Sequence, residues 1–75
     1  MTFAYTQAAL LYIFRKQNST SVVYAFDSWG YASVVGGVES TDITVTIAST
    51  LPESSKSVTV SNAKNGSVQY MIIIR

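Results

Sequence analysis

The chain of 75 residues contains few side chains that carry chemistry, and it has no His and no Cys. It therefore lacks the commonest general base, the commonest metal ligand and any thiolate. The remaining nucleophile-and-base candidate is Ser54-Ser55-Lys56. Nucleophilic catalysis needs a base in contact with the nucleophile, and in a Ser-rich segment a neighbouring lysine is expected by chance. We therefore predict no catalytic residue and no enzymatic activity.

The acidic side chains are too scattered to predict a site. Glycoside hydrolysis needs two carboxylates around one bond, and a hard cation needs several converging oxygens. Each acidic residue lies beside Ser, Thr or Pro, where a turn-capping role is usual. Gly36-Gly37 also lacks the flanking residues of a phosphate-binding loop. We predict no metal site and no cofactor. The four acidic residues are Asp27, Glu39, Asp42 and Glu53.

Aromatic residues cluster in the middle of the chain, at Tyr24, Phe26, Trp29 and Tyr31. Aromatic side chains in strands usually pack in the core. Trp29 is different because it falls in a predicted turn, where a large ring is hard to bury. We predict that Trp29 and Tyr31 are contact residues for a partner, since exposed aromatic side chains often anchor interfaces.

The segments that position these residues are rich in Val, Ile, Thr and Tyr, which favours strands. Alternation is clearest over residues 42–48, where Ile43, Val45 and Ile47 predict one buried face. The N-terminal residues 6–16 are compatible with a helix, but a strand is favoured. The sequence therefore predicts an all-β domain over residues 1–75. The expected architecture is a small antiparallel sandwich or barrel of five to six strands, with a short N-terminal helix as the alternative.

Two hairpins are predicted from turn residues. The first joins Ser21–Phe26 to residues 31–35 through Asp27-Ser28-Trp29-Gly30, which suits a type I turn followed by a bulge. Gly36-Gly37 is expected to end its second strand. The other hairpin joins residues 57–61 to residues 67–74 around Asn65-Gly66.

The C-terminal hairpin has two competing registers, because a slip of one residue turns every side chain to the other face. A loop of three residues places Val60 opposite Tyr70 and Val58 opposite Ile72. A loop of two residues turns the second strand over. We favour the first register because it gathers the more apolar side chains on one face.

The last predicted strand is apolar on both faces. Tyr70, Ile72 and Ile74 point one way, and Met71 and Ile73 point the other. A strand that is wet on one side does not have this pattern. The strand is therefore either central in a packed sheet, or its second face meets a partner. Met71 and Ile73 join Trp29 and Tyr31 as candidate interface residues.

Size and charge favour association. A domain this small buries only about 60% of its unfolded surface, and small scaffolds usually need disulfides, a metal or oligomerisation. Charged residues make up 12% of the chain, with a net charge of +1.

Only Arg15 and Lys16 are adjacent basic residues, so we predict no nucleic-acid partner. The apolar run 8–14 is much shorter than the roughly 20 residues of a membrane helix, so we predict no membrane partner.

In its size, Ser/Thr-rich strands, low charge and lack of Cys and His, the chain resembles the small β accessory proteins of bacteriophage virions, such as decoration, fibre-base or tail components. The resemblance implies a structural subunit in a virion, in contact with copies of itself or with other assembly proteins. Outside a virus, the lack of a signal peptide predicts a cytoplasmic location. The alternative function is a carbohydrate- or protein-binding module that uses Trp29 and Tyr31.

Overall fold

The computed structural model describes residues 1–15, 21–39, 42–48, 54–62 and 68–75. These residues form seven strands and no helix, which confirms the all-β prediction. The strands are β1 (Thr2–Tyr5), β2 (Ala9–Arg15), β3 (Ser21–Phe26), β4 (Ala32–Gly37), β5 (Ile43–Ala48), β6 (Lys56–Asn62) and β7 (Val68–Ile74).

Seven strands exceed the five to six that the sequence predicts. The difference comes from β1, which has four residues and is too short to show a clear alternation. The helix alternative for the N-terminal segment is wrong for residues 9–15, because they form β2. Its residues Tyr12, Ile13 and Phe14 are β-branched or aromatic, and such side chains favour a pleated sheet.

The strands form two antiparallel sheets that pack as a sandwich. One sheet has the order β1-β6-β5, and the other has the order β4-β3-β2-β7. The core lies between them, where Leu11 and Ile13 of β2 and Val58 and Val60 of β6 are at most 3% exposed. The other buried apolar side chains are Tyr5, Ala9, Val22, Tyr24, Phe26 and Ile43.

The prediction for β5 is confirmed. Ile43 is buried, Val45 and Ile47 pack against the core, and the threonines between them are exposed. The period of two places one face of the strand on the core and the other in water.

The predicted C-terminal hairpin is wrong, although both of its strands exist. β6 pairs with β1 and β5, whereas β7 pairs with β2 in the other sheet. Neither predicted register applies, and the turn signal Asn65-Gly66 lies outside the described residues. The apolar faces of β6 and β7 both pack on the core from opposite sheets. Burial between two sheets therefore overrides the local turn signal.

The middle hairpin is confirmed. β3 and β4 pair around the turn, in which Gly30 N donates to Asp27 O at 3.2 Å. The carboxylate oxygen Oδ1 of Asp27 accepts bonds from Trp29 N at 2.9 Å and Tyr31 N at 3.0 Å. Gly30 has a φ of 84°, the left-handed conformation that glycine tolerates best. The turn therefore holds Trp29 at the tip of the hairpin.

The second strand of this hairpin ends at the glycine pair, as predicted, but it includes both glycines, so β4 ends at Gly37, two residues later than expected. The register shifts between Val23 and Tyr24, as in a β-bulge. Gly37 has a φ of 74°, and a Cβ atom there would lie 1.9 Å from the carbonyl oxygen of Ser21. These glycines let β4 bend and approach β3 closely.

Candidate apolar interface

The outer faces of the two sheets differ in chemistry. The outer face of the three-stranded sheet is made of small and hydroxyl-bearing side chains, and all of them are exposed. We call it the polar face, and it consists of Thr2, Ala4, Thr44, Thr46, Ala48, Ser57, Thr59 and Ser61. This is the usual arrangement of an antiparallel sheet with one side in water.

The outer face of the four-stranded sheet is nonpolar instead. We call it the apolar face, and it consists of Leu10, Tyr12, Phe14, Val23, Ala25, Met71 and Ile73. Its side chains form rows across neighbouring strands, because Leu10 lies opposite both Ala25 and Ile73 and Tyr12 lies opposite both Val23 and Met71. Polar side chains at its described margin include the uncharged Ser21, Ser33 and Gln69, and the charged Arg75 lies at one end.

Several side chains of the apolar face are well exposed. The exposed fraction is 40% for Phe14, 47% for Met71 and 45% for Ile73. The rings of Tyr12 and Phe14 stack with their centroids 6.2 Å apart. They form an aromatic surface on β2, a strand in the interior of the sheet.

One end of the apolar face is concave. A depression of about 250 Å³ lies between Leu10, Ala25 and Ile73, with Arg75 at its rim. The remaining lining residues are Ala8, Ala9 and Phe26. A mainly apolar depression of this size is large enough for a single apolar side chain.

The position of β7 removes one of the two explanations for its two-faced pattern. β7 is at the end of the sheet order and pairs only with β2 among the described strands. The alternative of a central strand is therefore wrong. Contact between its second face and a partner stays a prediction. Met71 and Ile73, both candidate interface residues, lie together on the apolar face.

The other two candidates lie elsewhere. Trp29 and Tyr31 are 54% and 63% exposed, at the turn between β3 and β4. β4 is the edge strand opposite to β7, and three strand spacings correspond to about 14 Å. The structure therefore brings Met71 and Ile73 together but separates them from the exposed aromatic pair.

Sequence reasoning missed the central part of the apolar face, which β2 and β3 supply. The signal was available in β2, where Ala9-Leu10-Leu11-Tyr12-Ile13-Phe14 is apolar at every position. This is the same two-faced pattern that singles out β7. Because these residues also suit a short helix, the sequence alone does not assign their second face to a surface.

A separate cleft of about 560 Å³ opens between the edges of β4 and β5. The hydroxyl group of Tyr24 lies there and donates to Glu39 Oε1 at 3.5 Å. Burial raises the pKa of the Tyr24 phenol, and the charge and hydrogen bond of Glu39 raise it further. The other lining residues are Ala32, Val34, Ile43, Thr44 and Val45.

The residues that the sequence offers for catalysis or metal binding make structural contacts instead. Lys56 Nζ donates to the backbone carbonyls of Ser54 at 2.7 Å and Thr6 at 2.9 Å, so it is not directed at a serine hydroxyl. Asp27 caps its own turn, and Glu53 lies outside the described residues. Within the described ranges, no three acidic side chains converge as a metal site would require.

The described residues contain no helix that is long and apolar enough to cross a membrane. No family model, curated protein or solved structure matches the chain.

Proposed function

We propose that this protein is a non-enzymatic structural subunit that assembles with other subunits through the apolar face. The observation that supports the proposal is the contrast between the two outer faces of the sandwich. One consists of hydroxyl-bearing and small side chains, whereas the other exposes Phe14, Met71 and Ile73 around a nonpolar sheet surface. Large exposed apolar patches on soluble domains usually mark interaction sites.

Energetics favour coverage of this face. Removal of apolar surface from water stabilises an association by roughly 25 cal/mol per Å². None of the residues of the apolar face is charged, so contact over the face itself desolvates no ion, and Arg75 lies at the rim of its concave end. The concave end beside Ile73 adds a complementary shape.

The assembly that we propose is a bacteriophage virion, in which the chain serves as a decoration, fibre-base or tail accessory component. This part of the proposal rests on the resemblance in size and composition. Low charge suits a subunit whose surface is covered by neighbours, since charge repulsion would otherwise help to keep free copies apart.

A pair of charge variants tests the proposal. Ile73→Lys places a charge on the apolar face, and Thr46→Lys places the same charge on the polar face. An unpaired charge in a desolvated interface costs several kcal/mol, so we expect Ile73→Lys to weaken association about a hundredfold or more. Thr46→Lys is the matched control and keeps the parent mass in light scattering.

Circular dichroism checks that both variants are folded. Equal loss of association in the two variants would refute the apolar face as the contact surface, as would full association of folded Ile73→Lys. Unfolding of Ile73→Lys alone would show that Ile73 belongs to the core, which its 45% exposure argues against.

A second candidate function uses the aromatic pair at the β3–β4 turn. Trp29 and Tyr31 are more than half exposed, and such rings stack on sugar rings or anchor a protein partner. Trp29 is the sole tryptophan of the chain, so its fluorescence reports directly on this site. In a carbohydrate- or protein-binding module, added ligand shifts the emission of Trp29, and Trp29→Ala abolishes binding without a change in oligomeric mass.

A further inference from the structure

The edge of β7 has a defined set of outward backbone groups. Arg75 N donates to Ala8 O at 2.9 Å, and the register places Ile74 opposite Ala9. In an antiparallel pair, the hydrogen-bonded residues alternate along each strand. Residues 69, 71, 73 and 75 therefore direct their N–H and C=O groups toward β2. The residues that direct these groups away from the sheet are Val68, Tyr70, Ile72 and Ile74.

β7 also lacks the features that protect edge strands. Native sheets usually shield an edge with a short strand, a charge, a proline or a bulge. β7 has seven residues, and none of them is charged, proline or glycine. Its pairing with β2 is continuous, with no shift of register.

The other three edges differ from β7. β1 has only four residues, and β4 contains the register shift and Gly37. β5 carries the exposed Thr44 and Thr46 on the polar face, so pairing there would extend a hydrated surface. Pairing at β7 extends the apolar face instead.

We propose that β7 pairs antiparallel with β7 of a second copy about a twofold axis, which joins two four-stranded sheets into one continuous sheet. This inference rests on the proposed function, and it names a second copy of the chain as the partner. The twofold axis passes beside Met71, which lies opposite Met71 of the second copy. Tyr70 then lies opposite Ile72, and Val68 lies opposite Ile74.

This register satisfies every outward backbone group of β7. The four outward residues all face one another as hydrogen-bonded pairs, so their N–H and C=O groups all find partners. A twofold contact uses the same patch on both copies, which an uncharged strand permits. The two apolar faces become neighbours on one side of the joined sheet, with Met71 at the centre.

Charge does not oppose the pairing. Arg75 follows β7 directly, and the antiparallel register places the two arginines at opposite ends of the paired strands. Eight residue spacings separate them, or about 27 Å. This exceeds the Debye length of about 8 Å at physiological ionic strength, so their repulsion is screened.

Two cysteine variants on the same face of β7 test the register. In a pair that is not hydrogen-bonded, the two Cα atoms lie about 4.5 Å apart, within the range of a disulfide. Met71→Cys should therefore form a disulfide-linked dimer under mild oxidation. In Ile73→Cys the two Cα atoms are four residue spacings apart, about 14 Å, which is too far. The parent chain has no cysteine, so no other disulfide competes.

The expected result on a non-reducing gel is conversion of Met71→Cys to a dimer while Ile73→Cys stays unlinked. Cross-linking of both variants to the same extent would overturn the register. An oligomeric parent whose Met71→Cys variant stays unlinked would overturn the strand pairing but leave the proposed function intact. A parent with a monomeric mass at all concentrations would overturn both.

Hydrogen exchange on the unmodified protein provides a second measurement that needs no variant. If the outer edge of β7 is unpaired, only the amides of Gln69, Met71 and Ile73 within this strand are protected from exchange, because they face β2. Paired β7 also protects the amides of Tyr70 and Ile72. Rapid exchange at Tyr70 and Ile72 in the oligomer would contradict the proposal.

Discussion

Lys56 is a fully buried charged side chain, with 0% exposure, on the inner face of β6. Its ammonium group donates to the carbonyls of Thr6 and Ser54 and lies 5.4 Å from the centre of the Tyr5 ring. Thr6 belongs to the connection between β1 and β2, which are strands of different sheets. The hydrogen bonds of Lys56 therefore hold the connection between the two sheets against the start of β6.

Lys56→Met should keep the length of the side chain but leave two carbonyl groups without their donor. Loss of hydrogen bonds from a charged donor, which leaves carbonyl groups unsatisfied, lowers the free energy of unfolding by about 1–3 kcal/mol. We expect this decrease in the free energy of unfolding in urea titrations, whereas Ser57→Ala at the exposed neighbouring position should have little effect. Equal stability of Lys56→Met and the parent would show that the buried lysine is dispensable.

Two buried tyrosines predict how stability depends on pH. Burial raises the pKa of Tyr5 and Tyr24 above the ordinary value of 10.0, and the charges of Asp27 and Glu39, respectively, raise it further. Above pH 10 the unfolded chain loses these protons while the folded chain retains them. Stability is therefore fully present below the unfolded pKa and is lost as pH rises through the folded values.

We expect the free energy of unfolding to be nearly flat from about pH 6 to 8, because no side chain of the sequence has an ordinary pKa in that range. It should fall above about pH 10. Tyr24→Phe should make that alkaline decrease smaller. Urea titrations across this range check both statements, and a steep change near neutrality would contradict the first.

At the scale of single elements, Gly36 and Gly37 provide a matched pair. A Cβ atom at Gly36 would meet Val23 Cγ2 at 3.5 Å, an ordinary contact, whereas at Gly37 it would collide with the Ser21 carbonyl at 1.9 Å. Gly37 also has a positive φ, which costs an L-residue about 1–2 kcal/mol before any collision.

Gly37→Ala should therefore lower the free energy of unfolding by more than about 2 kcal/mol, while Gly36→Ala changes it far less. Thermal melts of both variants check this prediction. Similar stability of the two variants would mean that the close approach of β4 to β3 is not required for folding.

The elements themselves are more predictable from sequence than their pairing. The alternation of Ile43, Val45 and Ile47 and the Asp27–Gly30 turn are local patterns, and the structure confirms both. Whether β6 pairs with β7 is not local, because the same apolar faces are buried either by a hairpin or by opposite sheets. β1 is missed because four residues show no reliable period.

At the scale of the whole molecule, the sandwich has one hydrated face and one nonpolar face. The contribution of β7 to the nonpolar face can be predicted from the sequence, since Met71 and Ile73 belong to a strand that is apolar on both sides. The contribution of β2 depends on which strands share a sheet. Leu10 and Tyr12 join Met71 and Ile73 only because β2 lies beside β7, and the predicted hairpin would have separated them.

Trp29 shows the complementary case, in which local chemistry is sufficient. The turn residues predict a hairpin tip, and the structure leaves the indole half exposed. The local sequence does not indicate that the aromatic pair, at the turn between β3 and β4, and Met71 and Ile73, on β7, lie toward opposite edges of one sheet. That arrangement makes them two independent surfaces, which separate variants can distinguish.

The central claim is that the chain is built to associate, and the mass of the native particle in solution tests it most directly. Light scattering on the purified, unmodified protein at micromolar concentrations should give a multiple of the 8.1 kDa chain mass that decreases only on dilution. A mass of 8.1 kDa at every concentration would contradict the claim, above all together with cooperative melting above about 60 °C, near the upper end of the usual range for small domains.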